Sequence, residues 1–317
     1  MSTPDAAPAD AAPDAAPAAE ALAERAAARA GVVVREVAEL PDLVAIRRLI
    51  DTLWSAAPTN PSVTAELLRA YAHTGQYVVV ADDLTRPGRP MVAASVGFLA
   101  APPGVALHSH VTGVLPEGRG RSLGLALKAH QRAWALRSGL RQVTWTFDPL
   151  IRRNAWFNLA KLAARPRRYL VDFYGPMADA INAGDASDRL YLTWPLHDPR
   201  VARALAGEPL VLDVAAERAA GAVVVLAPRP GDPSGAPELT WPPPPGVGTV
   251  LAQVPPDHET LRHTQPALAR AWREALRTVL AGALTAGWVV RGVGRDGWYV
   301  LARSDGPEGG VPEGAER

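Results

Sequence analysis

Along the first two thirds of the chain, apolar residues alternate between a spacing of two and a spacing of three to four, and each change of spacing marks an element. Val32–Val34 are β-branched and predict a strand. Pro41 then opens a helix with Leu43, Ile46, Ile50 and Leu53 on one face, and a second helix runs from about Ser62 to His73, ending at Gly75. Tyr77–Ala81, Met91–Leu99 and Val105–Leu115 read as three successive strands of an antiparallel meander, with turn-rich Asp82–Pro90 between the first two. After Pro116 the period becomes helical, with Leu123, Leu127, Gln131 and Trp134 on one side and Arg121, Lys128 and Arg132 off it. Gly139 supplies the stop. Gln142–Phe147 alternates again as a strand, a short helix covers about Arg152–Ala164, Tyr169–Tyr174 looks extended, and Leu190–Trp194 closes the set. A helix between the strand ending at Leu115 and the one starting at Gln142 makes a β–α–β crossover, so those two strands are parallel within a mostly antiparallel sheet.

Beyond Leu196 a second, smaller α+β region is expected. Val211–Val214, Val223–Leu226 and Leu251–Val254 read as strands around a Pro/Gly-rich stretch from Pro228 to Gly248. Pro266–Ala286 is a long helix with a stripe of Leu268, Trp272, Leu276, Val279 and Leu280 that must cover something. Trp288–Val293 and Trp298–Ala302 form a hairpin. The expected layout is a loose Ala/Pro-rich tail at 1–29, a first domain at 30–196, the C-terminal region at 197–303 and a loose tail at 304–317.

Composition narrows the chemistry. Nearly balanced charge, with 33 Lys and Arg against 32 Asp and Glu, argues against nucleic acid as the main partner. The absence of cysteine removes disulfides, thiolate metal sites and a cysteine nucleophile. No apolar run is long enough to span a bilayer, and the N-terminus lacks the basic start and apolar centre of a signal peptide, so the cytoplasm is the expected location and no membrane partner is expected. His108 and His110 share one face of a strand; no third ligand accompanies them, and a metal is not expected.

The informative run is Val114-Leu115-Pro116-Glu117-Gly118-Arg119-Gly120-Arg121-Ser122-Leu123-Gly124, where a strand ends, a glycine-rich turn follows and a helix begins. The first N–H groups of a helix lack internal partners and, with the helix dipole, attract anions. A second glycine-rich match, Gly292-Val293-Gly294-Arg295-Asp296-Gly297, lies between two strands, and its Asp-Gly marks a hairpin turn, not a dinucleotide site.

The run around Arg119 resembles the coenzyme A loop of the GNAT acyltransferases, whose pattern is Arg/Gln-x-x-Gly-x-Gly/Ala. Arg119 matches its first position and Gly124 its last, with Ser122 where the middle glycine is usual. The order of elements from about Gly31 to Leu196 is also similar to that family. Thr144–Leu150, Asn154–Leu162, Asp172-Phe173-Tyr174-Gly175 and Ser187-Asp188-Arg189 resemble a bacterial subgroup with a C-terminal extension, some members of which are linked to N-succinylation of amino acids. The resemblance implies a GNAT fold, an α/β mixed sheet with a central β–α–β crossover. It implies acetyl-CoA or succinyl-CoA as co-substrate and a small-molecule amine, an amino acid among the options, as acceptor. Phosphates would lie on Arg119, Gly120, Arg121, Ser122, Leu123 and Gly124, with the pantetheine arm on the backbone of Gly113, Val114 and Leu115. Asn154, Asn158 and Lys161 are the polar cofactor candidates on the next helix. In that family a tyrosine of this helix protonates the departing thiolate. Here its place falls at Leu159, leaving Tyr174, with Tyr169 second, as the acid and His110 as a base or acceptor contact. The departures at Ser122 and Leu159 leave a catalytically inactive acyl-CoA or metabolite binder open, and the sequence also leaves open a homodimer.

Overall fold

The computed structural model of the protein describes residues 15–54, 63–175 and 185–304. Its first part runs α1 (Ala15–Ala30), β1 (Val32–Glu36), α2 (Leu40–Trp54), α3 (Ala65–His73), β2 (Tyr77–Asp83), β3 (Met91–Ala100), β4 (Ala106–Val114), α4 (Leu123–Arg137), β5 (Gln142–Phe147), α5 (Arg152–Ala155), β6 (Arg165–Leu170) and β7 (Arg189–Pro195). These strands form one seven-stranded sheet in the order β1-β2-β3-β4-β5-β7-β6. Only the β4–β5 pair is parallel, as the crossover through α4 requires. On one face, Leu43, Ile46 and Ile50 of α2 and Leu68 of α3 pack on Val78, Val80, Ala94 and Val96. The other face is covered by α4, and α4 in turn by α1.

The second part comprises α6 (Pro199–Ala206), α7 (Val214–Ala219), β8 (Val223–Pro228), β9 (Pro237–Leu239), β10 (Thr249–Gln253), α8 (His258–Thr264), α9 (Pro266–Thr285), β11 (Trp288–Val293) and β12 (Trp298–Arg303). Its five strands lie in the order β11-β12-β10-β8-β9. The expected α9 stripe is buried at Trp272, Leu276, Val279 and Leu280 and half-buried at Leu268, and it belongs to the same apolar cluster as the α4 face of the first sheet. Among the described residues, no helix is long and apolar enough to cross a membrane.

Four local expectations need correction. Residues 15–29, expected to be a loose tail, are most of α1; residues 1–14 and 305–317 lie outside the described residues. Low complexity suggested disorder, but alanine is the strongest helix former, and Ala19, Leu22, Ala23, Ala26 and Ala30 make a buried stripe at helical spacing. Packed between α1 and the sheet, α4 buries Lys128 and Arg132 as well as Leu123, Leu127 and Leu136. Val211–Val214 is not a strand: the Asp213 carboxylate accepts the Ala216 N–H, α7 starts at Val214, and Val211 is exposed. The helix expected over Arg152–Ala164 is a single α turn followed by a π turn, Trp156–Lys161. The extended segment is displaced too, since β6 ends at Leu170 and Asp172, at φ +46°, begins a turn.

A buried ionic network joins the two parts. Arg273 on α9 donates to both oxygens of Asp148, at 2.6 and 2.8 Å, and to Asp185 at 2.7 Å. His258 Nε2 lies 3.2 Å from the same Asp185, and Arg262 lies within 4 Å of both carboxylates. Burial alone would raise the pKa of Asp148; Arg273, through its charge and hydrogen bonds, outweighs it and holds that carboxyl below its ordinary value. The Tyr299 hydroxyl, buried, donates to the Pro149 carbonyl at 2.8 Å. Removing one partner of a buried ion pair costs about 3–5 kcal/mol because the remaining charge is left uncompensated. Arg273→Ala should therefore lower the unfolding free energy by about that amount in urea titrations, and a loss under about 1 kcal/mol would show that the network does not hold the junction.

Candidate functional site

The site begins where two strands stop sharing hydrogen bonds. β4 and β5 are in register only at Ala106–Gln142, Leu107–Val143 and His108–Thr144. β4 then continues to Val114 and β5 to Phe147 with no further pairing between them. On its other side β4 carries a bulge: Ser109 faces Gly97 and Val111 faces Val96, so His110 is the extra residue. A bulge bends its strand and increases its twist, which is a direct cause for β4 to leave β5. From Ser109 to Val114 the β4 backbone thus offers an open edge in the middle of a sheet, where buried polar groups need partners. Gly113 lies in this stretch; a Cβ there would come within 2.3 Å of Leu53, so glycine lets the end of α2 cross close over the opening.

At the far end of that edge the Leu115 N–H donates to Val92 O, and one 3-10 turn at Pro116–Gly118 leads into the loop. Gly120 has φ +80° and Ser122 φ +65°, and α4 starts at Leu123. The amides of Leu125 and Ala126 already donate to Ser122 O, so those of Ser122, Leu123 and Gly124 are the ones the helix leaves free for an anion. A Cβ on Gly124 would sit 3.4 Å from the Phe157 ring, so this glycine sets the gap between α4 and the π turn. Arg119 is exposed, and its guanidinium has no hydrogen bond or ion pair among the described residues. Arg121 faces away from this surface. Its guanidinium donates to both oxygens of buried Asp83, at 2.6 and 2.9 Å, and to Ala30 O at 2.9 Å, tying the loop to the α1–β1 junction. One of the two expected arginines is therefore a brace.

The helix after β5 divides the polar candidates. Asn158 is buried, and its Oδ1 accepts the Trp145 indole N–H at 3.1 Å, while Asn154 and Lys161 are exposed. Leu159 is in the core.

The opposite face of the sheet carries the titratable groups. His108 Nδ1 lies 3.1 Å from Thr144 Oγ1, and the rings of Phe98, His108 and His110 are in contact, with Tyr71 on Phe98. Burial, then the nearby His110 and Lys128, pushes His108 down to about 4. Burial also lowers His110, so both rings are neutral at pH 7. The Tyr174 hydroxyl lies 3.1 Å from that of Thr146. Thr144 and Thr146 are two apart on β5 and so share a face; His108 and Tyr174 are anchored to neighbouring positions on it. The Tyr174 turn is held from behind: its N–H donates to Ser187 Oγ, the Asp172 N–H donates to Asp188, and Arg277 of α9 donates twice to that same Asp188 at 2.8 Å. Tyr169 is committed elsewhere, its hydroxyl donating to Asp188 at 2.6 Å, and burial next to that carboxylate raises its pKa.

One residue of the site was not anticipated. Lys128 is buried between α4 and the parting strands, where Nζ donates to Ser109 Oγ and Gln131 Oε1, both at 2.9 Å, and lies 4.0 Å from the Trp145 ring centre. Its signal in the sequence is rarity: 33 cationic residues include lysine only at 128 and 161.

Ser122 adopts the left-handed conformation that glycine takes without steric penalty. Ser122→Gly should therefore be tolerated or raise stability, by up to about 1 kcal/mol in thermal melts. Gly124→Glu places a carboxylate beside the free amides and should abolish CoA binding in calorimetry while the fold, followed by circular dichroism, persists. Unchanged affinity in a folded Gly124→Glu protein would move the phosphate site elsewhere.

No protein-family model matches the chain, and no curated protein matches it. Solved structures similar to it include the ribosomal-protein-S18-alanine N-acetyltransferase of Escherichia coli, at 14% identity and TM-score 0.40, covering 52% of this chain and 94% of that one. The ribosomal-protein-S5-alanine acetyltransferase of Vibrio fischeri matches at 15% and 0.42, covering 53% and 94%. A GNAT family acetyltransferase of Elizabethkingia anophelis with acetyl-CoA bound matches at 13% and 0.39, covering 52% and 98%. With its antiparallel meander, its single parallel pair that parts after a bulge and its glycine-containing turn into α4, the first sheet of this chain has the order of elements that the resemblance to the GNAT acyltransferases implies.

Proposed function

We propose that the protein is an acyl-CoA-dependent N-acyltransferase that passes an acetyl or succinyl group to the amine of a small molecule, an amino acid among the options. The observation that carries this reading is the open β4 edge ending at the free amides of α4. A donor with phosphates at one end and a peptide-like arm matches both, since anions sit at helix starts and amides complete strand edges.

On this reading the amine nitrogen attacks the thioester carbonyl while His110, neutral near pH 7, takes the amine proton. The backbone of the bulge stabilises the oxyanion. The carbon–sulfur bond then breaks, and the thiolate takes a proton from Tyr174, whose hydroxyl is held at the edge of β5 by Thr146. Leu159, in the core where the resemblance places a proton donor, supports a second reading in which the chain binds acyl-CoA without turnover. Mass spectrometry of the nucleotide that co-purifies, followed by an amine-acceptor screen, separates the two.

Tyr174→Phe removes only the transferable proton, so kcat should fall by about 10²–10⁴-fold with CoA affinity little changed; near-normal kcat would take Tyr174 out of the reaction. His110 has its pKa lowered from 6.5, so its basic form persists from neutral pH down to below that value. At saturating acyl-CoA, log kcat/KM should steepen as pH falls below 6.5, and His110→Ala should remove that step. A step that survives the substitution would assign the base elsewhere.

A further inference from the structure

Lys128 and Gln131 lie one turn apart on α4, facing the sheet, with 4% and 0% exposure. The three groups around Lys128 Nζ, Ser109 Oγ, Gln131 Oε1 and the Trp145 ring, are all uncharged. No carboxylate among the described residues pairs with it, and burial pushes its pKa down to about 7. A buried cation without an anion is costly. Gln131 Nε2, next to it, is buried with no hydrogen-bond partner among the described residues, and buried amide N–H groups nearly always have one. The Ser109 hydroxyl accepts from Lys128 and keeps its own hydrogen to donate. The cluster thus presents hydrogen-bond donors and a positive charge, with no anion opposite.

Its place in the fold says what would complete it. Ser109 is the first residue of β4 beyond the last pair with β5. From there the open edge runs five residue steps to Val114, about 17 Å at ~3.4 Å per residue. A donor with its phosphates at the start of α4 and its arm along this edge brings its acyl end to Ser109 and so to Lys128. We propose that Lys128, Gln131 and Ser109 bind a carboxylate at the far end of the acyl group, so that the donor is the CoA monothioester of a short dicarboxylic acid. This rests on the donor-site reading above. A carboxylate has lone pairs for Nζ, Nε2 and the Ser109 hydroxyl together and supplies the missing negative charge. An acetyl methyl or an alkyl tail offers no acceptor to Gln131 Nε2, to the third Nζ hydrogen or to the Ser109 hydroxyl hydrogen. The Trp145 indole is held by Asn158, with its ring centre 4.0 Å from Lys128 Nζ.

The test compares succinyl-CoA with butyryl-CoA, which have the same chain length and differ in the terminal carboxylate, by calorimetry on the full chain. The wild type should bind succinyl-CoA at least about tenfold more tightly, as a charge-assisted hydrogen bond implies. Lys128→Met and Gln131→Leu should bring the two donors to within about threefold, with affinity for CoA itself unchanged. Gln131→Glu gives Lys128 a carboxylate from within the protein, keeps the position polar should the apolar variants fail to fold, and should likewise abolish the preference. Equal affinities in the wild type, or a preference that survives Lys128→Met, would overturn this inference while leaving the donor site in place. Failure of the wild type to bind CoA at all would overturn the donor-site reading and this inference with it.

Discussion

A strand that leaves its neighbour midway through a sheet exposes peptide groups where water is scarce, and the rest of the molecule is arranged around that constraint. The bulge at His110 bends β4 away from β5 after three paired residues. The edge this opens is closed from above by Leu53 and Trp54 at the end of α2, which approach so near that position 113 has no room for a Cβ. Below it lie α4 and the π turn, with Gly124 against Phe157. The open edge has Ser109, which accepts from Lys128, at one end, and past its other end the chain turns into the start of α4. A strand edge that leads to a helix start offers peptide groups along its length and free amides beyond its end.

The second region is attached through charge as well as through apolar contact. Asp148 follows directly on β5 and takes both guanidinium nitrogens of Arg273; Asp188 precedes β7 and takes Arg277 of the same helix. These two carboxylates flank the adjacent strands β5 and β7 of the first sheet, Asp148 at the end of β5 and Asp188 behind the Tyr174 turn. Helix α9 therefore braces the wall from which Tyr174 reaches Thr146. An ion network of this kind contributes little net stability compared with apolar packing, but it tolerates only one relative placement of its partners.

Where residues expected at the site were put to other use, the reason is a partner far away in the chain. Arg121 carries the same local signature as Arg119, two basic residues on either side of Gly120. One turns to Asp83, 38 positions earlier, and the other to solvent. Asn158 looked like a cofactor contact and instead satisfies the Trp145 indole. The sequence put Tyr174 first and Tyr169 second, and Asp188 takes up the hydroxyl of the second. Lys128 was set off the apolar side of its helix, but it faces the sheet, where Ser109 and Trp145 surround it.

The spacing of apolar residues determined the first sheet's strands other than β6, the crossover helix and the terminal hairpin, because period-two and period-3.6 patterns report which face of each element is buried. The glycine-bearing turn before α4 was equally local: three or four residues set the backbone that frees the helix amides. The register of three residues between β4 and β5, the inward turn of Arg121, the donor cluster around Lys128 and the docking of α9 were decided only by the tertiary structure. Each depends on which side chain or backbone edge lies opposite, and in a folded chain that neighbour is set by packing between elements tens of residues apart, for which no local pattern carries a signal.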